Sequence, residues 1–278
     1  MILDGKKTAE YIRKTVAEEV SKIEDDITLA LIIVGENPAS LVYVGNKEKA
    51  CEEVGIKVRK FALKATVTEK ELLNIVEECN KDAAVNGILV QLPLPSHIDS
   101  NKVVNAIDPV KDVDGLNIIN QGRLFDGLPA IAPATPKGVI DLLKINFIDI
   151  AGKNVVVVGR SNLVGKPLAM LFLKENATVT IAHSKTNDLK EVTKRADILA
   201  VAVGIPKFIT ADMVKKGAVV VDIGINKVEG KLVGDVDFNG VSEIASYITP
   251  VPKGVGPMTI ATLMINIVDC YKEQKRRA

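Results

Sequence analysis

The chain has 278 residues, 36 Lys+Arg against 35 Asp+Glu, a formal net charge of +1 and 47% hydrophobic residues. That length holds one large domain or two ordinary ones, and the apolar content excludes a chain too polar to build a core. The charge balance excludes a global field for gripping nucleic acid or an anionic membrane. Cys51, Cys79 and Cys270 are odd in number and lack metal-site spacing, so reduced thiols are expected, with neither a disulfide framework nor a metal site. The N-terminus turns polar after three residues, and no uncharged apolar run approaches the roughly 20 residues of a membrane helix. A cytoplasmic protein with no membrane partner and no nucleic-acid partner is expected.

In chain order, Ala9, Ile12, Val16, Val20 and Ile23 recur at three- and four-residue steps and predict an amphipathic helix from about Lys6 to Ile23. The apolar run 27–35 ends in Gly35 and reads as a buried parallel strand. Asn37-Pro38 is an N-cap followed by proline at the first helical position, opening a helix over 38–54 that Gly55 stops. A strand over 56–63, a helix over 68–81 and a strand from Gly87 to Leu92 follow. This βαβαβ rhythm predicts a parallel sheet covered by helices. Residues 108–136 read as loop, and Pro136 begins a helix to about Ile145. A second βα series then places strands near 154–158, 178–182, 197–203 and 218–222, and a short hairpin turning at Glu229-Gly230. The Pro/Gly loop 249–257 leads into a last helix from Met258 to about Gln274, able to return to the first domain.

The segment 155–169, VVVVGRSNLVGKPLA, carries the clearest local signal. A buried strand ends at Gly159 and a helix starts near Gly165, so free backbone N–H groups and the positive helix end face one point, as a pyrophosphate requires. Gly159 permits the tight turn and Gly165 the close approach, although Ser161 stands where the usual GxGxxG pattern has its middle glycine. The competing reading is an ordinary strand–helix turn. The next strand runs into His183, Ser184, Lys185 and Thr186, with no acid before Asp188. An acid there would grip a ribose 2′-OH. Hydroxyls and cations, with Arg160 in the turn, favour a 2′-phosphate instead, and so NADP over NAD. His183 stands equally well as a loop residue without a role.

In the first half, Tyr43 and Lys47 are four apart on one helix and project from one face. Such a pair does proton chemistry when burial or nearby charge lowers the lysine pKa; otherwise it is a surface lysine beside a packed tyrosine. Gln91 ends the third strand, where open α/β sheets carry their ligands. Asp112 and Asp114 lie in DPVKDVDG (108–115), whose sequel lacks the Gly and Glu of a Ca²⁺ loop; a carboxylate there can grip the donor edge of a heterocycle.

Taken together, VGENPASLVYVGNKEKACEEVGI (34–56), GILVQLPLP (87–95), DPVKDVDG, PATPKG (133–138), GRSNLVGKP (159–167), TVTIAHSKT (178–186), DIGIN (222–226), GDVDF (234–238) and TPVPKGVGPMT (249–259) resemble the bifunctional methylenetetrahydrofolate dehydrogenase/methenyltetrahydrofolate cyclohydrolases over nearly the whole chain. The resemblance implies two α/β domains with a cleft between them. The first (1–136 and 257–278) is catalytic and folate-binding; the second (137–256) is a Rossmann-like, doubly wound NADP-binding sheet; the C-terminal helix rejoins the first. It implies catalytic and substrate roles for Tyr43, Lys47, Gln91 and Asp114, and folate contacts at Leu92, Pro252, Gly256 and Pro257. Cofactor contacts fall on Gly159, Arg160, Ser161, Gly165, Ser184 and Ile225. A homodimer with a folate substrate, serving one-carbon metabolism and purine biosynthesis, is implied too. Two positions depart from the family pattern: Ala134 replaces a cysteine, and Lys253-Gly254 replaces paired glycines. A shikimate-type NADP-dependent alcohol dehydrogenase shares the layout but leaves QLPLP, DPVKDVDG and GVGPMT unexplained. A catalytically silent NADP-binding protein is the remaining alternative, against which the joint presence of Tyr43, Lys47, Gln91 and Asp114 argues.

Overall fold

A computed structural model describes residues 1–277, apart from the side chain of Ala39. The chain forms two compact units, one from Glu10–Ala134 with the residues from Ile260 onward, the other from Met1–Ala9 and Thr135–Thr259.

The first unit is built on a three-stranded parallel sheet of β1 (Thr28–Val34), β2 (Lys57–Leu63) and β3 (Gly87–Val90), with β1 in the centre. Between the strands run α2 (Pro38–Glu53) and α3 (Glu69–Lys81), after an opening α1 (Gly5–Val20). Asn37 caps α2 as its position predicts, its Oδ1 accepting from the Ser40 N–H at 3.2 Å. Thr68 and Glu71 close a reciprocal capping box on α3. On one face of β1, Ala30, Ile32 and Val34 pack with Leu72, Val76 and Cys79 of α3 and with Val103 of α4 (Ser100–Ala106). The other residues of β1 are buried too, so the central strand is apolar on both faces and shows no alternation.

The expected loop 108–136 contains a helix, α5 (Ile118–Phe125). Its first turn is inverted: Ile118 and Ile119 are exposed, while Asn120 is buried and donates to Pro109 O at 2.9 Å and Asp112 Oδ2 at 3.0 Å, which leaves Leu124 as its buried apolar side chain. A helix that buries amides and exposes isoleucines carries no core-facing apolar stripe to read. Lys111 is likewise inverted. Its buried ammonium donates to the carbonyls of Cys79, Asn80 and Asp82, taking up the open C-terminal end of α3.

The second unit contains α6 (Ala134–Ile145), β4 (Asn154–Val158), α7 (Gly165–Lys174), β5 (Thr178–Ala182), α8 (Leu189–Thr193), β6 (Ile198–Val201), β7 (Val219–Asp222), the antiparallel hairpin β8 (Asn226–Val228) and β9 (Lys231–Val233), α9 (Phe238–Ser242) and β10 (Tyr247–Ile248). Five strands pair in parallel in the order β10-β7-β6-β4-β5. The chain thus winds one way from β4 to β5 and the other way through β6, β7 and β10, the doubly wound topology expected for a Rossmann-like sheet. Glu229 and Gly230, both at positive φ, make the expected two-residue hairpin turn.

Two boundaries differ from the sequence reading. Residues 1–9, grouped there with the first domain, extend the second sheet: Ile2 bridges Ile248 in parallel, and the Leu3 N–H donates to Ile248 O at 2.9 Å. Gly5 packs so tightly on Gly254 that a Cβ would lie 1.8 Å from its carbonyl oxygen. The last helix, α10 (Val255–Arg277), starts three residues early and ends three late. From Ile260 it belongs to the first unit, where Asn266 donates to Val113 O and Ala132 O, both at 2.9 Å, and Gln274 to Asn86 O at 2.7 Å. No helix among the described residues is long and apolar enough to cross a membrane.

The three thiols are buried, and burial pushes each upward, Cys51 to about 12. Iodoacetamide at pH 8 is therefore expected to leave the native protein unlabelled and to add three groups in guanidinium, read by intact mass. Rapid native labelling of Cys51 would contradict its buried position.

Candidate functional site

In the first unit, α2 buries Ser40, Val44, Lys47 and Cys51 at steps of four, three and four, and Val54 just past its end continues the series. That is the spacing of an apolar stripe facing a core, and position 47 holds a lysine. Burying an ammonium costs several kcal/mol unless it is hydrogen-bonded. Lys47 is only 9% exposed, and its Nζ donates to Gln91 Oε1 at 3.1 Å. Gln91 directly follows β3; its own N–H donates to Ile32 O at 2.8 Å and its Nε2 to Leu92 O at 2.6 Å. The acceptor for the amine is thus a neutral amide that is itself tied to the backbone. One turn along the stripe, Cys51 stays protonated because burial outweighs the pull of the Lys47 charge on its pKa.

Asp114 is brought to the same end of the sheet by its loop. Ile88 of β3 bridges Asp112 in parallel, and the Ile88 N–H donates to Lys111 O at 2.7 Å, so residues 111–114 run beside β3 toward its carboxyl end. Asp112 is the anchor of this loop. Its buried carboxylate accepts from Asn117 N at 2.8 Å and Asn120 Nδ2 at 3.0 Å, and burial raises its pKa, with the Asp114 charge adding to the rise. Gly115, at φ +63°, lies where a Cβ would come within 2.6 Å of Ile131 O. Asp114 itself is half-buried. Tyr43, one turn before Lys47, is 45% exposed, and Leu41 and Val42 beside it are exposed as well. Leu92, half-buried, precedes a cis Pro93.

In the second unit, a cavity of about 500 Å³ opens at the carboxyl ends of β4, β5 and β6, lined by Gly159, Arg160, His183, Ser184, Val203 and Phe208 among others. Gly159 has φ +127°, and a Cβ there would lie 2.3 Å from Ala202 O; one on Gly165 would lie 2.2 Å from Gly159 O. The turn therefore closes only with glycine at both positions. Ser161 braces the turn before α7, its Oγ accepting from Val164 N at 3.1 Å and Gly165 N at 3.4 Å. His183 holds the next turn: its N–H donates to Thr186 Oγ1 at 2.8 Å, and its Nδ1 accepts from Lys185 N at 3.1 Å. This leaves Ser184 exposed at the cavity beside Arg160. These residues fit a dinucleotide: a turn with glycine at both ends, a helix N-terminus, and a hydroxyl and a guanidinium for a 2′-phosphate. Ile225 follows β7 and is 45% exposed, with Gly256 against it: a Cβ there would sit 3.7 Å from Ile225 Cδ1. Pro252 is exposed after a cis bond, Lys253 has φ +84°, and Pro257 lies in the first turn of α10.

Composition and periodicity gave no hint of a buried carboxylate network past β7. Asp222 Oδ1 accepts from Gly224 N at 3.1 Å and Asp235 N at 2.9 Å, and its Oδ2 from Val236 N at 2.9 Å. Asp235, fully buried, accepts from Val203 N, Gly204 N and Asn226 Nδ2. The only signal was the pair of motifs DIGIN and GDVDF, each with a glycine beside its acid.

A doubly wound sheet whose glycine turn opens on a phosphate-binding cavity, in a chain that also buries a lysine–amide pair at a second sheet, defines a dinucleotide-dependent α/β enzyme. Comparison with known proteins narrows the class. The catalytic-domain model of the tetrahydrofolate dehydrogenase/cyclohydrolases matches residues 3–114, and the NAD(P)-binding-domain model of the same family matches 133–275. The Bifunctional protein FolD of Agathobacter rectalis is 56% identical over 275 residues, spanning 98% of this chain and 99% of the relative. The bifunctional FolD methylenetetrahydrofolate dehydrogenase/cyclohydrolase of Campylobacter jejuni superposes with a TM-score of 0.96 at 48% identity, covering 99% of each chain. The Trypanosoma brucei N5,N10-methylenetetrahydrofolate dehydrogenase-cyclohydrolase, solved with NADP and an inhibitor, gives 0.94 at 38% identity over 99% of this chain and 98% of its own. This chain belongs to the tetrahydrofolate dehydrogenase/cyclohydrolase family.

Burial raises the Asp222 carboxyl to about 6 against the pull of its backbone donors. A raised carboxyl pKa means the folded state holds the proton more tightly than the unfolded chain does. The stability it contributes is therefore complete below about pH 4 and lost as pH rises through about 6, at most about 3 kcal/mol. Urea titrations are expected to give a more negative slope of stability against pH between 4 and 6 for the wild type than for Asp222→Asn; equal slopes would contradict the raised value.

Proposed function

We propose that this chain oxidises 5,10-methylenetetrahydrofolate to 5,10-methenyltetrahydrofolate with NADP and hydrolyses the product to 10-formyltetrahydrofolate. The observation that carries this reading is Lys47, an amine on a buried stripe held by the neutral Gln91 amide at 3.1 Å. A purely structural position would hold an apolar side chain there. The family match over both parts of the chain supports the same reaction and favours it over a shikimate-type alcohol oxidation.

NADP, when bound, supplies the hydride acceptor. The chain's own residues do the rest. Asp114 accepts hydrogen bonds from the donor edge of the pterin and sets its orientation. Tyr43 packs on the folate, and Leu92, Pro252, Gly256 and Pro257 complete its contacts. Once the bridging carbon has lost a hydride, the two flanking nitrogens share the positive charge and water adds to the carbon. Lys47 takes a proton from the adding water and returns it to the departing ring nitrogen as the carbon–nitrogen bond breaks, the remaining hydroxyl proton passing to solvent as the formyl carbonyl forms, while Gln91 keeps the amine in place. Proton transfer of this kind is worth on the order of 10²–10⁴-fold. Gly159, Ser161 and Gly165 present the phosphate-binding turn, Ile225 borders the cofactor, and Arg160 and Ser184 select the 2′-phosphate. The protein acts in the cytoplasm as a homodimer, its product feeding one-carbon transfers such as purine biosynthesis.

The direct test is NADPH absorbance on mixing enzyme, methylenetetrahydrofolate and NADP, followed through the methenyl intermediate. No reduction with either NADP or NAD would sink the reading. Lys47→Arg, permanently protonated, is expected to lose hydrolysis by at least about 10²-fold while cofactor reduction falls less. Lys47→Met is expected to abolish hydrolysis yet melt at the same or a higher temperature, because a buried charge gives way to an apolar chain. Arg160→Ala is expected to cut the NADP-over-NAD preference about tenfold, measured as the ratio of kcat/KM values.

A further inference from the structure

Of the motifs DIGIN and GDVDF only Ile225 has a part so far, and both motifs meet at one carboxylate. Asp235 has no exposed surface. Its Oδ2 accepts from Val203 N at 2.7 Å and Gly204 N at 2.9 Å, and its Oδ1 from Asn226 Nδ2 at 2.9 Å. Val203 lies just past β6 and lines the cavity with Gly159, Arg160 and Ser184. Asn226 is the neighbour of Ile225. One buried carboxylate therefore joins the two chain segments that leave β6 and β7 on the cofactor side of the sheet.

The network is tight. A Cβ on Gly224 would lie 2.0 Å from the Asp235 carboxyl carbon, and one on Gly234 would lie 1.8 Å from Asp222 Oδ2. Asp222 in turn receives the backbone N–H groups of Asp235 and Val236, so Asp235 is fixed before it fixes anything else. The hairpin β8–β9 is the excursion that returns the chain to deliver this carboxylate. Burying an anion is costly unless its oxygens are hydrogen-bonded, and here the bonds go to a loop that otherwise has no regular structure to hold it.

We propose that Asp235 is a positioning residue for NADP: it holds the 203–204 loop and the 225–226 segment in the geometry the cofactor needs, with Asp222 holding Asp235. This rests on the reading that the unit binds NADP. Full-length variants are compared by isothermal titration with NADP and NADPH. Asp235→Ala is expected to weaken both by about tenfold or more. Asp235→Asn keeps an acceptor for Val203 and Gly204 and can turn its amide toward the Asn226 oxygen, so it is expected to stay within about threefold of wild type. Asn226→Ala, which removes one arm, is expected to cost about fivefold and carries the test if Asp235→Ala does not fold. For Asp235→Ala, KM for NADP is expected to rise while hydrolysis of added methenyltetrahydrofolate, which uses no cofactor, falls less; a general loss of structure would depress both alike. Binding by Asp235→Ala or Asn226→Ala within about twofold of wild type, or Asp235→Asn as weak as Asp235→Ala, would overturn the proposal. A wild-type chain that binds neither cofactor would overturn the NADP reading itself and this inference with it.

Discussion

The hydrogen bond from the Lys47 ammonium to the Gln91 amide sets the terms for the first unit. A helix that packs its stripe on a sheet gains by burying methylenes, and a lysine there gives up part of that gain. The structure keeps the lysine by meeting it with an amide whose own N–H groups are committed to the Leu92 carbonyl. The partner is a neutral amide rather than a carboxylate, so the helix and the strand are joined there by a hydrogen bond and not by an ion pair.

Around that bond, the loop 108–117 is anchored by buried polar groups rather than by apolar packing. Lys111 closes the end of α3, Asp112 gathers Asn117 and Asn120, and Asn266 reaches in from α10 to hold the Val113 carbonyl. The second unit uses the same device with carboxylates alone. Asp222 and Asp235 each collect backbone N–H groups from loops that have no helix or strand to satisfy them. In both units a loop is given a fixed shape by making one buried side chain the shared acceptor or donor for several peptides.

Much of this architecture was legible in the sequence because the βα rhythm is written in apolar runs and caps: the run 27–35, Asn37-Pro38, Thr68 with Glu71, and VVVVG before the turn. The Lys47 and Tyr43 spacing placed both on α2, but spacing could not tell which would be buried, since that depends on Gln91 meeting the amine from β3. The helix α5 escaped detection because its isoleucines face outward and its asparagine inward. The pairing of Ile2 with Ile248 is not legible because a short run such as Ile2–Leu3 pairs by edge geometry, which no local pattern encodes. Asp222 and Asp235 were visible as motif letters only, since their roles are defined by peptides up to 32 positions away.

The helix α10 has a consequence for synthesis. The chain passes from one compact unit to the other after Ala9, after Ala134 and after Thr259. Met264, Ile267, Val268 and Cys270, fully buried in the first unit, are made only after all of residues 135–259. The strands of the first sheet are therefore made 125 residues (135–259) ahead of the helix that completes their unit. All of the second unit, residues 1–9 and 135–259, is in hand by then, so the unit whose sheet is made first is the one whose core is completed last.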